Sequence, residues 1–259
     1  ERVYLPHRSL RSAVLALWSG ARERIGFDDS PAAITYTTRV PRTRSGHEVE
    51  RILALAGRHG GAPPSVNLGL TPADDLAAEA WLLRHDVRSP FVAVAPGSIW
   101  ATKRWPYYAE LTARLEQPSV VVGGADDARL AAAIVETSSG RVVSAAGALS
   151  LRQSAALIRR AAVLVTNDSA PLHLATAVGT PVIAIFGPTV PEFGFGPRRR
   201  GDVTVGNDEL PCRPCSRHGP PKCPLGHHRC MRDLSVEQVM QAIATIAKAE
   251  ESRAICPRN

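Results

Sequence analysis

Aromatic residues are scarce in this sequence, and several familiar motifs are missing from it. Phenylalanine, tryptophan and tyrosine make up 5% of the 259 residues. No basic run is interleaved with them, which argues against a platform that stacks single-stranded nucleic acid. No apolar run approaches the roughly 18 residues of a membrane-spanning helix. A Walker A loop, a G-x-G-x-x-G fingerprint and a G-x-S-x-G nucleophile elbow are also absent, so the sequence offers none of these three motifs as its functional site.

Basic residues, by contrast, are in excess. Lysine and arginine number 31 against 24 aspartates and glutamates, which gives a formal charge of +7. Such a surface favours anionic partners: nucleotides, a phosphorylated glycolipid, an acidic membrane face or nucleic acid. A basic surface that only meets solvent is the alternative. The hydrophobic fraction of 44% and the charged fraction of 21% are those of an ordinary globular protein.

Residues 91–186 alternate short apolar runs with helical segments. Five runs are predicted strands: FVAVA, SVVVGG, RVVSAAG, AVLVTND and PVIAIFG. The predicted helices between them are 106–116 opened by Pro106, DDARLAAAIVETS, SLRQSAALIRRA capped by Ser150, and APLHLATAVG ended by Gly179. This alternation predicts an α/β fold with a doubly wound parallel sheet.

Polar clusters follow four of these strands. They are Ser98–Lys103, Gly123–Asp127, Asn167–Ser169 and Gly187–Thr189. Ligands of doubly wound sheets bind at the carboxyl ends of the strands. We therefore expect the four loops to meet at one edge of the sheet and to bind an anion there.

The first cluster lies in the segment PGSIWATKRWP. Ser98 and the backbone of its turn are candidates to hold a phosphate, and Lys103 would supply a point charge to a pyrophosphate. Trp105 is expected to pack in the core beneath the loop. Arg104 is left open between a solvated side chain and a functional one.

The segment NDSAPLHLA follows a strand and opens a helix. Asp168 or Ser169 can cap that helix, and its N–H groups can bind phosphate with the help of the helix dipole. His173 lies about one turn further on. Simple capping with a core-facing histidine is the alternative.

The turn GGADD carries two carboxylates at the start of a helix. Asp127 is the better candidate to accept hydrogen bonds from ribose hydroxyls, as acidic residues in Rossmann-type sites do. As the alternative, Asp126 and Asp127 are ordinary residues for a first helical turn.

The composition predicts four parts of the chain. In residues 1–60, RSAVLALWSGARERIGF predicts a helix, a turn at Gly20 and a strand, and GHEVERILALAG a second helix. Residues 61–90 are a Gly- and Pro-rich linker with a connecting helix, 91–234 the main α/β domain, and 235–259 a final helix and tail. About 60 residues are fewer than a domain usually needs. Because the chain also opens without Met and without a leader, we expect its N-terminal domain to be present only in part.

Four cysteines cluster near the end of the main domain. They are Cys212, Cys215, Cys223 and Cys230, and a fifth, Cys256, lies in the tail. The first pair has the spacing of zinc ligands, and His218, His227 and His228 are nearby. A structural zinc would explain the cluster, and reduced thiols in a surface loop are the alternative. A catalytic metal is not expected, because the cluster lies outside the predicted strand-end edge.

Four segments carry a resemblance to a known family: PGSIWATKRWP, GGADD, VTNDSAPLHLATAVGTPVIAIFGPTVPE and CRPCSRHGPPKCPLGHHRCM. Together they resemble the ADP-heptose:lipopolysaccharide heptosyltransferases of glycosyltransferase family 9, the second type most closely, over about residues 4–248. The resemblance implies a GT-B architecture, in which two Rossmann-like domains enclose the donor and the C-terminal domain holds most of it. It also implies a cytoplasmic, cofactor-independent, inverting enzyme, peripheral to the inner membrane. Such an enzyme moves heptose from ADP-heptose to the lipopolysaccharide inner core and binds no nucleic acid.

The resemblance also assigns roles to individual residues. Ser98 and Lys103 match positions at the donor's phosphates, and Asp127 matches the acidic position at the ribose. Four residues match the D-[ST]-G-x-x-H segment at the sugar and pyrophosphate: Asp168, Ser169, Ala170 and His173. Ala170 stands where glycine is usual, but it keeps the backbone N–H. Lys103 is expected to stabilise the leaving diphosphate.

The N-terminal side departs from the family pattern. Arg8, Ser9 and Arg11 match a loop that faces the acceptor, with helix capping and surface charge as the alternative. The family's strand and Gly-Asp loop, which carry the general base, have no match, since Asp28 and Asp29 come too late in the chain. We therefore expect the base to be absent from this chain. A GT-B-type sugar-nucleotide epimerase or hydrolase, and a nucleotide-binding remnant without catalysis, remain open as other functions.

Overall fold

A computed structural model describes residues 1–60, 66–138 and 140–255. The chain divides into two compact units. Unit 1 comprises Glu1–Pro64 and Glu192–Phe195, and unit 2 comprises Ser65–Pro191 and Gly196–Asn259. The sequence-based division into four parts stays a prediction.

Unit 1 contains a three-stranded parallel sheet. Its elements are β1 (Arg2–Leu5), α1 (Leu10–Trp18), β2 (Glu23–Phe27), β3 (Thr38–Val40) and α2 (Glu48–Leu55), and the strand order is β1-β2-β3. The expected helix, turn and strand are present, and Gly20 occupies the left-handed region that the turn requires, with φ of 67°. The sequence missed β1 and β3, which are short and largely exposed.

Unit 2 is built on a six-stranded sheet in which every neighbouring pair is parallel. Its strands are β4 (Val92–Ala95), β5 (Ser119–Val121), β6 (Val142–Ser144), β7 (Val163–Asn167), β8 (Val182–Phe186) and β9 (Val203–Gly206). Their order is β6-β5-β4-β7-β8-β9. The predicted doubly wound α/β fold is confirmed, with β9 as an edge strand that the sequence did not reveal.

Helices cover both faces of this sheet. They are α3 (Pro72–Arg84), α4 (Tyr108–Arg114), α5 (Ala128–Glu136), α6 (Leu151–Arg160), α7 (Ala170–Val178), α8 (Arg229–Arg232) and α9 (Val236–Ile255). Strand side chains alternate between two hydrophobic clusters: Val92 and Val94 pack with α4 and α9, whereas Ala93 and Ala95 pack with α3, α6 and α7. Because both faces are covered, the strands are apolar throughout, which is why they were visible as continuous runs.

Local signals placed most helix ends correctly. The Ser150 hydroxyl accepts the Gln153 N–H at 3.3 Å, and Gly179 ends α7 with φ of 80°. The start of α4 is a correction: it begins at Tyr108, two residues after Pro106. The N–H of Trp105 is bonded to the Asn167 side chain, so the chain is still held as a loop where the helix was expected to begin. None of the helices in the described part of the chain is both long enough and apolar enough to cross a membrane.

Candidate functional site

The candidate site lies at the point of the sheet in unit 2 where the direction in which successive strands are added reverses. From β4 the chain proceeds outward through β5 to β6, and from β7 it proceeds the other way through β8 to β9. β4 and β7 are neighbours, and in doubly wound sheets the loops that leave the carboxyl ends of such a pair run in opposite directions and border a crevice. Doubly wound sheets bind their ligands at this switch point. The loop after β4 carries Lys103, and the loop after β7 carries Asp168.

Lys103 and Asp168 form a buried ion pair at this point. The Lys103 Nζ lies 2.6 Å from Asp168 Oδ2 and 3.4 Å from the Asp168 carbonyl oxygen, and both side chains are 11% exposed. Thr189, in the loop after β8, donates its hydroxyl proton to the same Oδ2 at 2.7 Å. An ammonium group has three N–H donors. Two of them are directed at Asp168, and within the described part of the chain no third hydrogen bond of the ammonium group is found.

The loop between β4 and α4 is held in shape by Arg104. Its Nε and Nη2 donate to the carbonyl oxygen of Ser98 at 2.9 and 2.7 Å. A solvated Arg104 was one open reading, and it is wrong. Trp105 packs in the core as expected, with 2% exposure, and its indole N–H donates to the Leu234 carbonyl at 2.9 Å.

Asn167, the last residue of β7, joins the two loops. Its Nδ2 donates to the Pro96 carbonyl at 2.8 Å, and its Oδ1 accepts the Trp105 N–H at 3.1 Å and the Tyr108 hydroxyl at 3.2 Å. The side chain is fully buried. The sequence showed only that Asn167 stands in a polar cluster. The available signal was an amide side chain at the end of an apolar strand. Such a signal does not reveal which groups Asn167 binds.

Asp127 brings the loop after β5 against the loop after β4. Its Oδ2 accepts the Gly124 N–H at 3.0 Å. A Cβ on Gly97 would lie 2.2 Å from Asp127 Oδ1, and a Cβ on Gly123 would lie 2.7 Å from Oδ2. A side chain at position 97 would therefore displace this carboxylate. Asp126 is exposed, whereas Asp127 is half-buried beside the crevice.

The amino terminus of α7 faces the same crevice. Ser169 is the N-cap residue, but its side chain makes no capping hydrogen bond among the residues described, so the predicted side-chain cap is wrong. The Ser169 hydroxyl instead lies 3.4 Å from that of Thr166. Ala170 and Pro171 follow, and proline has no N–H, so the backbone donors offered at this end are those of residues 169 and 170.

His173 lies within electrostatic range of the ion pair. Its pKa is lowered, first by desolvation and also by the Lys103 charge, while the Asp168 charge acts in the opposite direction. Since the ordinary value is about 6.5, the imidazole is neutral at neutral pH. A neutral imidazole has one N–H donor and one acceptor nitrogen.

The predicted acceptor residues lie in unit 1. Arg8 and Arg11 are exposed, and the Arg8 guanidinium is 3.8 Å from Asp29 Oδ2. Ser9 is the N-cap residue of α1, but within the described chain its side chain makes no capping bond. Among the described residues, the Ser9 side chain therefore does not cap α1.

The structural zinc site that the cysteine spacing left open is not formed among the described residues. No three histidine, cysteine, aspartate or glutamate side chains among the described residues are placed to hold a metal ion. Two of the thiols are engaged with the backbone instead: Cys215 Sγ donates to the Cys212 carbonyl at 3.2 Å, and Cys223 Sγ accepts the His228 N–H at 3.4 Å. Burial raises the pKa of Cys230 to about 11. Cys256 lies outside the described residues.

The family model and the curated relatives that match this chain all carry the description heptosyltransferase. The sequence model of glycosyltransferase family 9 (heptosyltransferase) matches residues 1–224. The chain is 30% identical over 240 residues to lipopolysaccharide heptosyltransferase 1 of Pseudomonas aeruginosa, and this match covers 88% of the chain and 65% of that protein. The chain spans between 25% and 65% of the length of the curated relatives named heptosyltransferase that it matches.

Solved structures share its fold. The structure of E. coli ADP-heptose LPS heptosyltransferase II matches with a TM-score of 0.75 and 24% identity, over 96% of this chain and 77% of that one. A glycosyltransferase family 9 protein from Veillonella parvula matches with a TM-score of 0.82 and 22% identity, over 95% and 73%. These likenesses confirm the predicted GT-B-type fold class.

Proposed function

The chain belongs to glycosyltransferase family 9, the heptosyltransferases, and on that premise we propose that it serves an inverting transfer of heptose from ADP-heptose to the inner core of lipopolysaccharide. The observation that carries this proposal is the buried Lys103–Asp168 pair at the switch point of the sheet. It holds an ammonium group, with one N–H that has no partner among the described residues, at the place where such a sheet receives a nucleotide.

In the proposed reaction a base removes the proton of an acceptor hydroxyl. That oxygen attacks the anomeric carbon of heptose from the face opposite the diphosphate, and the bond between the anomeric carbon and the diphosphate oxygen breaks. The electron pair leaves with ADP. The third N–H of Lys103 and the backbone N–H groups of residues 169 and 170 stabilise the charge that develops there. Each such donor contributes about 2 to 4 kcal/mol to the transition state by analogy with an oxyanion hole.

The remaining donor contacts follow from the same crevice. Ser98 lies in the loop after β4 and binds a phosphate oxygen, and Asp127 beside it accepts from the ribose hydroxyls. Asp168 orients Lys103, and the neutral His173 exchanges hydrogen bonds with the sugar or pyrophosphate. No metal ion is part of this proposal, because Lys103 and the backbone donors supply the positive potential.

The acceptor contacts are proposed in unit 1. Arg8, Ser9 and Arg11 contact the anionic core sugars, and the net charge of +7 favours a peripheral position at the cytoplasmic face of the inner membrane. Asp28 and Asp29, the carboxylates expected to come too late in the chain, are engaged: Asp28 Oδ1 accepts the Arg42 N–H, and Asp29 faces Arg8. The general base is therefore proposed to lie outside this chain.

A sugar-nucleotide hydrolase or epimerase is not favoured. It would need Asp168 and His173 as an acid–base pair. The Asp168 Oδ2 already accepts from Lys103 and Thr189, which leaves that oxygen committed to positioning the lysine.

Calorimetry with ADP tests the donor site directly. We expect Lys103→Ala to weaken ADP binding by about 10- to 100-fold, the loss of one hydrogen bond to a charged group. The matched control is Lys222→Ala, since Lys222 is exposed and should leave the affinity unchanged. Equal ADP affinity in folded Lys103→Ala and in the unsubstituted chain would refute the proposed site.

Incubation with ADP-heptose and a heptose-deficient core acceptor separates the functions. Because the base is proposed to be absent, we expect ADP-heptose to bind without transfer. Transfer by this chain would contradict the missing base, and release of ADP without transfer would support a hydrolase.

A further inference from the structure

The cysteine-rich segment, residues 212–230, contacts the loop that carries Lys103. The Thr102 hydroxyl donates to the Pro220 carbonyl at 2.5 Å, and His228 Nε2 lies 2.7 Å from the Thr102 carbonyl oxygen. A carbonyl oxygen only accepts, so this Nε2 carries the proton. Both hydrogen bonds therefore hold the residue that directly precedes Lys103, and Thr102 is buried.

The same segment covers the aliphatic part of Lys103. A Cβ on Gly219 would lie 3.0 Å from Lys103 Cε and 3.1 Å from its Cγ. Gly219 also occupies the left-handed region, with φ of 85°, so a larger residue is disfavoured twice at this position. The lysine stem is thus enclosed along its length, and its ammonium group is directed at Asp168.

His228 is itself held in place by Cys223. The His228 backbone is in the left-handed region with φ of 52°, which is unusual for a residue other than glycine. Its N–H donates to Cys223 Sγ at 3.4 Å. The sulfur therefore acts as the acceptor that fixes the turn from 223 to 228.

These contacts form one connected path to the ion pair. Cys223 fixes His228, His228 and Pro220 fix Thr102, and the next residue is Lys103. We propose that the cysteine-rich segment positions Lys103 for the donor diphosphate, with His228 as a positioning residue. This inference rests on the proposed function, because it assumes that Lys103 binds the diphosphate. It gives the segment a role that requires neither a metal ion nor a disulfide.

The test compares the affinities for ADP and for adenosine, which has no diphosphate. His228→Leu removes the donor to Thr102, and we expect it to weaken ADP binding by about 3- to 10-fold and to leave adenosine binding unchanged. His228→Gln keeps an N–H donor and should restore ADP affinity. The matched control is His227→Leu, since His227 contacts Cys212 and the Arg229 N–H instead.

Combination with Lys103→Ala sharpens the test. If His228 acts through Lys103, His228→Leu should cause no further loss of ADP affinity in that background. If His228→Leu caused a general loss of structure, adenosine binding would weaken as well. The ADP affinity would then not be restored in His228→Gln, and His228→Leu would still lower it in the Lys103→Ala background. Should His228→Leu fail to fold, the pair Cys223→Ala and Cys223→Ser gives the same contrast, because serine retains an acceptor for the His228 N–H.

The outcomes distinguish the two proposals. If Lys103→Ala weakens ADP binding but His228→Leu does not, or if His228→Leu weakens ADP and adenosine binding equally, only the positioning role is overturned. If the unsubstituted chain has no ADP affinity, the proposed function fails and the positioning role fails with it.

Discussion

Lys103 Nζ lies 2.6 Å from Asp168 Oδ2, and each side chain is withdrawn from water to 11% exposure. The two residues are 65 positions apart in the chain. Separating such a pair leaves one charge buried without its partner, which is far more damaging than the loss of a surface ion pair. The pair therefore connects the stability of unit 2 with its proposed ligand site.

We expect Lys103→Met to lower the free energy of unfolding by about 3 to 5 kcal/mol, because the Asp168 carboxylate remains buried. Adding Asp168→Asn should recover most of this loss, since the amide is neutral and can still accept from Thr189. Urea unfolding of both variants measures the effect. The exposed pair Arg88–Asp86 is the control: Arg88→Met should cost less than about 1 kcal/mol. Equal costs for Lys103→Met and Arg88→Met would contradict the buried pair.

Gly97 is expected to reject any side chain. Gly97→Ala places a Cβ 2.2 Å from Asp127 Oδ1, and the strain should cost about 1 to 3 kcal/mol. Removing the carboxylate with Asp127→Ala should relieve part of that cost. Gly124→Ala is the matched control, because among the described atoms nothing lies within 4 Å of the Cβ that it would add. Thermal unfolding of the single and double variants measures these costs. If the costs of Gly97→Ala and Asp127→Ala simply add in the double variant, the close approach of position 97 to the Asp127 carboxylate is contradicted.

Asn167→Ala should loosen both loops of the site. It removes the partners of the Pro96 carbonyl, the Trp105 N–H and the Tyr108 hydroxyl, all at a buried position. We expect a loss of about 2 to 4 kcal/mol in unfolding free energy together with weaker ADP binding. Asn67→Ala is the control, since Asn67 is exposed and, among the described residues, its side chain accepts the Gly69 N–H and no other group. A loss in stability with unchanged ADP affinity would show that Asn167 does not shape the site.

His173 should make the protein less stable in mild acid. Its pKa in the folded state is lowered, chiefly by desolvation, so the unfolded chain takes up a proton first as the pH falls. The stability contributed by the neutral form is present above about pH 6.5 and is lost as the pH falls through the folded-state pKa. His173→Gln should therefore reduce the slope of stability against pH below about pH 6.5. An NMR resonance of the His173 imidazole that titrates with a pKa above the ordinary value of about 6.5 would refute the assigned direction.

The candidate site was only partly predictable. The sequence placed Ser98, Lys103, Asp127 and Asp168 in loops at strand ends, because apolar runs and helix signals are local. It did not pair Lys103 with Asp168, and it treated each as an independent ligand contact. It also took the cysteine spacing as a possible metal site, although ligands must converge in space and these thiols are bonded to the backbone instead.

The sequence by itself determined the alternation of strands and helices over residues 91–186, the caps at Ser150 and Gly179, and the family to which the chain belongs. Those features depend on neighbouring residues and on short motifs. Only the tertiary structure decided that β4 lies beside β7, that Asn167 joins their loops, and that Thr102 is held by residues more than a hundred positions away. The physical reason is that strand order and buried polar pairing are settled by long-range packing, to which local periodicity is blind.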